Sequence, residues 1–268
     1  MTTPLLTERH GPVTLLTLSA PMLRNALSDA MMLALADALR EADADPAVCC
    51  VVLTGDPAGK AFSSGGNLRE MTEGASRMFD PAPVVAQEGY RSLVQQIPLA
   101  FEAIDVPVIA AVNGPAIGAG LDITTMCDIR LASPAARFAE SFVKVGLVSG
   151  DGGAWFLQRA IGYGRAIELA LTAEMFDADQ AQAIGLVSRV VPAEELVPEA
   201  LALGARIAAN PREAVRLTKR LFRHGRSATL QQSLDHGAAL QAIAQTTADH
   251  REAVAAMLEK RPPRLTGR

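Results

Sequence analysis

The sequence predicts an α/β fold with an α-helical C-terminal extension. Two runs, VCCVVLTG (48–55) and VPVIAAVNG (106–114), are almost continuously apolar, the pattern of strands covered on both faces. Stretches of helical periodicity separate such runs, and after about residue 200 the helical pattern continues alone. A chain of 268 residues is long enough to bury a large core around such a sheet.

In chain order, VTLLTL (13–18) is β-branched and apolar and predicts the first strand. After a Pro-containing turn, SDAMMLALADALREADAD predicts a helix that Ser28 caps. The 48–55 strand follows, then a long helical or irregular piece to about residue 104, then the 106–114 strand. IRLAS (129–133) and RFAES (137–141) read as strands split by the turn SPAA. From AWFLQRAIGYGRAIELALTA onward the chain reads as helical, with a short LVSRVVP strand near 186–192. No periodic repeat or Gly/Ser linker interrupts it. The tail carries Leu201, Ile207, Leu217, Leu221, Leu240, Ile243, Val254 and Leu258, which need a surface to cover, on this subunit or another.

Hydrophobic residues at 49% and charged residues at 20% exclude disorder as the main state. A net charge of −4 gives no electrostatic case for nucleic acid or an anionic membrane as the main partner. Three cysteines cannot all pair, and Cys49 and Cys50 fall in the apolar run, so they read with Cys127 as small core residues in a reducing compartment. None of the four histidines forms a ligand-spaced group with a cysteine, so no metal set emerges. The N-terminal stretch lacks a basic segment followed by a long apolar one, and no run of 18 apolar residues occurs, so the expected location is the cytoplasm.

Two glycine-rich turns stand out. FSSGGNLREM places Gly65 and Gly66 after an apolar strand and before a helix, where the backbone can approach a ligand with its N–H groups free. NGPAIGAGLDITTMCD makes Gly118, Ala119 and Gly120 the first turn of a helix running to about Cys127, where the leading N–H groups lack internal partners. Two such donors on one carbonyl oxygen would stabilise an enolate, at about 3 to 4 kcal/mol per donor. Each motif alone is equally a tight turn packing helix on sheet.

Taken together, GKAFSSGGNLREM, VNGPAIGAGLDITTMCDIRLAS, FVKVGLVSGDGGAW, AIELALTAEMFDADQAQAIGLVSRVV and EAVAAMLEKRPPRLTG resemble the crotonase superfamily of enoyl-CoA hydratases and isomerases, in register from about residue 10 onward. The resemblance implies a spiral of ββα units with a helical C-terminal region. It places the core and active site at residues 1–200 and the trimerising, pocket-covering helices at 201–268. It further implies an acyl-CoA substrate, no cofactor beyond the coenzyme A of that substrate, and a homotrimer or homohexamer. The family's two oxyanion amides fall on Gly66 and Ala119. Its coenzyme contacts fall on Ser64, Gly66, Asn67 and Leu68, on Arg24 for a phosphate, and on Lys260 from the tail. Arg24 is equally a solvated surface arginine.

Hydratases of this family use two glutamates, one to activate water and one to handle the C2 proton. The first position is Asp122 here, an acid one methylene shorter that dienoyl-CoA isomerases of the family also carry; the second is Phe142, which moves no protons. Asp122 follows Ala119 by three, close enough on one helix to face the same cleft, although an acid there also suits the helix dipole. Two candidates remain for the second acid. Asp151 lies in the SGDGG turn, one residue past the position of Gly150 where relatives carry an acid, and its other reading is a helix cap. Glu140 shares a face with Phe142 if that segment is extended, and its other reading is a salt-bridging residue at a strand end.

The leading expectation is therefore hydration or double-bond migration of an enoyl-CoA through a thioester enolate. Asp122 is the expected proton carrier: with Asp122 alone, migration is the easier reaction, and hydration becomes feasible if Asp151 or Glu140 joins it. The alternatives are an acyl-CoA hydrolase or dehalogenase with an aspartate nucleophile, and a non-catalytic binding protein of the same fold. Met71, Met78, Phe79 and Tyr90 are the expected acyl-pocket lining; Trp155 and Phe156 fit helix core better.

Overall fold

The computed structural model describes residues 4–74 and 76–267. Its elements begin with β1 (Leu5–His10), β2 (Val13–Leu18), α1 (Asp29–Ala44), β3 (Cys50–Gly55), α2 (Leu68–Glu73), α3 (Pro83–Ser92) and α4 (Gln96–Ala103). β4 (Val108–Val112), β5 (Ala116–Ile117), α5 (Ala119–Met126), β6 (Ile129–Ala132) and β7 (Arg137–Ala139) form the middle of the chain. Then come α6 (Gly153–Ile161), α7 (Tyr163–Thr172), β8 (Phe176–Asp177), α8 (Ala178–Ala183), β9 (Arg189–Val190), α9 (Leu196–Ala208), α10 (Arg212–Gly225), α11 (Leu230–Thr246) and α12 (Ala248–Glu259).

One sheet has the order β1-β2-β3-β4-β6-β9, parallel except for the β1–β2 pair. A smaller sheet, β5-β7-β8, lies beside it, and single bridges from Ser63 to Ala116 and from Leu27 to Gly66 continue its pattern. The chain thus lays a strand in the large sheet, then one in the small layer, then a helix, and repeats. This is the expected ββα spiral.

The apolar runs are continuous because both faces of the large sheet are buried. Val13, Leu15, Cys50, Val52, Ile109 and Ala111 face outward onto Leu196 and Ala200 of α9. Their neighbours Leu16, Leu18, Val51, Leu53, Ala110 and Val112 face the main core. Cys50 and Cys127 are free and buried, and burial pushes both thiols up to about 12, as small core residues should behave. Ser28 caps α1 by accepting from Met31 N at 3.3 Å, a contact worth about 1 kcal/mol.

Three features go beyond the sequence reading. LLTERH forms β1, an edge strand whose side chains after Leu5 are exposed, so it lacks the apolar run that marks the others. The piece before residue 104 is three helices, α2 to α4. His224 and His236, far apart in sequence, stack with ring centroids 4.4 Å apart between α10 and α11.

Helix α10 docks through charge. Arg216 meets Asp43 at 2.9 Å, Lys219 meets Asp128 at 2.8 Å, and Arg220 and Arg223 both grip buried Asp105. In the tail, Leu217 and Leu240 are buried and Leu201 and Ile207 pack on the outer core. Ile243, Val254 and Leu258 remain exposed. No helix among the described residues is long and apolar enough to cross a membrane.

Candidate active site

The small sheet brings the two glycine turns together. Phe62 N and Ser63 N both donate to Pro115 O, and Ile117 N donates to Ser63 O at 3.0 Å, so the SSGG segment runs alongside β5. Gly65, with φ +82°, lies against that strand so closely that a Cβ would stand 2.4 Å from Ile117 O. Only glycine satisfies both conditions. Gly118, at φ 53°, turns the chain out of β5, and Ala119 becomes the first residue of α5. Neither Gly66 N nor Ala119 N donates to another described group. Both residues line one small cavity, with Asp151, Phe142 and all four expected lining residues, Met71, Met78, Phe79 and Tyr90. Phe156 is core and Trp155 lies on the surface under Arg159.

The three candidate acids are buried in one cluster. Asp122 is fully enclosed, Glu140 is 3% exposed and Asp151 4%. Ser149 joins them: its Oγ lies 3.2 Å from Asp122 Oδ2 and 3.1 Å from Asp151 Oδ1, and it accepts from Ala154 N at 3.2 Å. Asp151 and Glu140 both lie within hydrogen-bonding reach of Asp122. Loss of water, followed by the negative charges of Asp151 and Glu140, drives the Asp122 carboxyl well above the usual carboxylate range. Glu140 rises to about 7, again chiefly through burial, with the Asp122 hydrogen bond pulling against it. Burial and the neighbouring acids thus favour the protonated form of Asp122.

Two details differ from expectation. The extended segment stops at Ala139, because Ser141 (φ −94°, ψ 7°) leads into a 3₁₀ turn at Phe142–Val145. Glu140 thus reaches Asp122 from the strand end, without sharing a strand face with Phe142. Asp151 caps nothing: Gly152, at φ 103°, is the N-cap of α6, and the Asp151 side chain turns inward. Of the three acids, only Asp151 lines the cavity with both amides.

The remaining predicted positions divide. Ser64 N donates to Arg24 O at 3.1 Å, and Asn67 caps α2, whose first residue is Leu68, so Arg24, Ser64, Gly66, Asn67 and Leu68 form one strip beside the cavity. Lys260 is exposed at the end of α12 and lines none of it. Sequence reasoning missed Ser149 and Gly153. A serine two residues before an acid in a glycine turn was the available signal for Ser149. A Cβ on Gly153 would fall 2.0 Å from Asp122 Oδ1, and no sequence pattern reports such an approach.

An α/β spiral of ββα units whose two glycine turns, at Gly66 and Ala119, line one cavity has the architecture of the crotonase superfamily. The family model for enoyl-CoA hydratase/isomerase matches residues 8–268, and the chain belongs to that family. The chain is 34% identical to the 2,3-dehydroadipyl-CoA hydratase of Escherichia coli, over 98% of this chain and 99% of that one. To the 1,2-epoxyphenylacetyl-CoA isomerase of Escherichia coli it is 35% identical, over 94% of both chains. The crystal structure of an enoyl-CoA hydratase from Mycobacterium smegmatis superposes with a TM-score of 0.89 at 35% identity, covering 97% of this chain and 98% of that one. The protein is an acyl-CoA enzyme of the hydratase/isomerase type.

Proposed function

We propose that this enzyme shifts the double bond of a 3-enoyl-CoA to the 2-position. The thioester oxygen accepts from Gly66 N–H and Ala119 N–H. Asp151 removes a proton from C2, the electrons move onto that oxygen, and the same carboxyl returns a proton at C4. One acid suffices, and no electrons are gained or lost overall. The observation that carries this reading is that Asp151 lines the cavity of both amide donors while Asp122 and Glu140 are closed off behind it. Phe142 supports it by offering an apolar wall where a hydratase would use a second glutamate. Hydration is the second reading, favoured only by the number of acids nearby. Assaying 3-enoyl-CoA isomerisation and crotonyl-CoA hydration side by side decides between them: isomerisation should dominate and fall with Asp151→Asn, whereas faster hydration refutes the proposal.

The strip from Arg24 to Leu68 fits coenzyme A, with Arg24 on a phosphate and no further cofactor needed. We propose a homotrimer or homohexamer, in which a neighbour covers exposed Ile243, Val254, Met257 and Leu258 and brings Lys260 to a coenzyme. The assembling region would start at Pro211 and not at residue 201, because α9 packs on the large sheet. The three free cysteines fit a reducing compartment, the cytoplasm.

A further inference from the structure

Ser149 stands between two carboxyl groups with only one proton to give. Its Oγ contacts Asp122 Oδ2 at 3.2 Å and Asp151 Oδ1 at 3.1 Å, and one of its lone pairs is taken by Ala154 N–H. Both carboxyl contacts are hydrogen bonds only when one acid carries a proton and donates it to the serine, which then donates to the other acid. The hydroxyl can therefore hand a proton across: it accepts one on its free lone pair and releases its own on the far side.

Beyond Asp122 the chain of groups continues. Glu140 is buried, no donor among the described residues reaches its Oε2 or Asp122 Oδ1, and Glu140 lines a second cavity of about 270 Å³. That cavity is bounded by Phe142, Val148, Leu157 and Ile167 and contains neither Gly66 nor Ala119. Phe142 lines both cavities.

We propose that Ser149 relays the substrate proton from Asp151 to the buried Asp122–Glu140 pair, which exchanges it with solvent through the second cavity. In the step, Asp151 O–H donates to Ser149 Oγ, the Ser149 hydroxyl proton passes to Asp122, and Asp122 passes its own proton to Glu140. Each group gains one proton and loses one, and no bond to carbon changes. The relay rests on Asp151 meeting the substrate, but it holds whether the enzyme isomerises or hydrates.

The test is exchange of the C2 protons of butyryl-CoA, a saturated thioester, in deuterium oxide, followed by proton NMR. Wild-type enzyme should exchange them. Ser149→Ala should lower the exchange rate by about tenfold or more, within the range for a lost proton-transfer partner. Ser149→Thr, which keeps the hydroxyl, should restore it. Glu140→Gln should lower it as well, which gives a second reading if Ser149→Ala folds poorly. A wild-type enzyme that isomerises without exchanging C2 protons overturns the relay and spares the proposed reaction. Ser149→Ala and Glu140→Gln variants that exchange at the wild-type rate overturn it too. Exchange accompanied only by hydration would sink the isomerase reading and keep the relay.

Discussion

Replacing Glu140 with glutamine should flatten the fall in stability of this protein as pH rises from about 4.5 to 7. The Glu140 carboxyl sits at about 7 in the folded chain against its ordinary 4.5. A raised carboxyl stabilises the fold fully below its unfolded value, and that stabilisation is lost as pH rises through the folded value, because an ionised carboxylate must then be kept in a dry, acidic cluster. The gap between the two values, at about 1.4 kcal/mol per pH unit, converts to about 3 kcal/mol. Coulomb repulsion is of similar size. Ser149 Oγ lies 3.2 Å from Asp122 and 3.1 Å from Asp151, so two charges there stand no more than about 6 Å apart and would repel by at least about 3 kcal/mol at an effective dielectric of about 20. Urea unfolding at about pH 5, 7 and 9 measures the effect. Glu140→Gln should lose about 3 kcal/mol less than wild type across that window, most of the difference arising between about pH 5 and 7, and should keep only the slope that Asp122 contributes in the same direction. Equal slopes for the two proteins would refute the account of the cluster.

Asp151→Asn should lower turnover by about 10² to 10⁴ with little change in unfolding free energy, measured by steady-state assay and urea titration. Gly65→Ala should push the SSGG segment off Ile117 O, which a Cβ would meet at 2.4 Å, and cost about 10² in kcat through misdirected amides. Asp105→Asn should loosen α10. Burial alone would raise the Asp105 carboxyl, but hydrogen bonds from Arg220 and Arg223 hold it below the usual range. Its contribution is therefore present above its ordinary 3.8 and lost as pH falls, so the variant should be less stable than wild type by about 2 kcal/mol at neutral pH, a difference that urea titration should find shrinking in acid.

The strands were legible because burial on both faces writes an unbroken apolar run, and α1 because Ser28 precedes a helical pattern. β1 was not, since an edge strand with exposed side chains carries no such run. The two glycine turns were legible because local geometry and local sequence coincide there, whereas the choice of Gly66 and Ala119 as the amide pair came from the resemblance. The acids were legible as candidates but not as an arrangement: Asp122 and Ser149 are distant in sequence, and whether Asp151 caps a helix or turns inward depends on Gly152 taking φ 103°. The strand end at Ala139, which swings Glu140 inward, depends on the backbone of Ser141 and leaves no mark in side-chain type.

The approach of Gly153 to Asp122 ties two remote positions into one choice. The carboxyl occupies the volume in which any larger residue at the head of α6 would place its first carbon, with Oδ1, Cγ and Oδ2 all within 2.1 Å of that point. Lengthening the acid, or adding a methyl at Gly153, demands that α6 be seated further out, and α6 carries the Ser149–Asp151 turn at its entrance. Redesign of the acid's reach must therefore move a helix, and substitutions at the two sites should rescue or ruin each other in pairs.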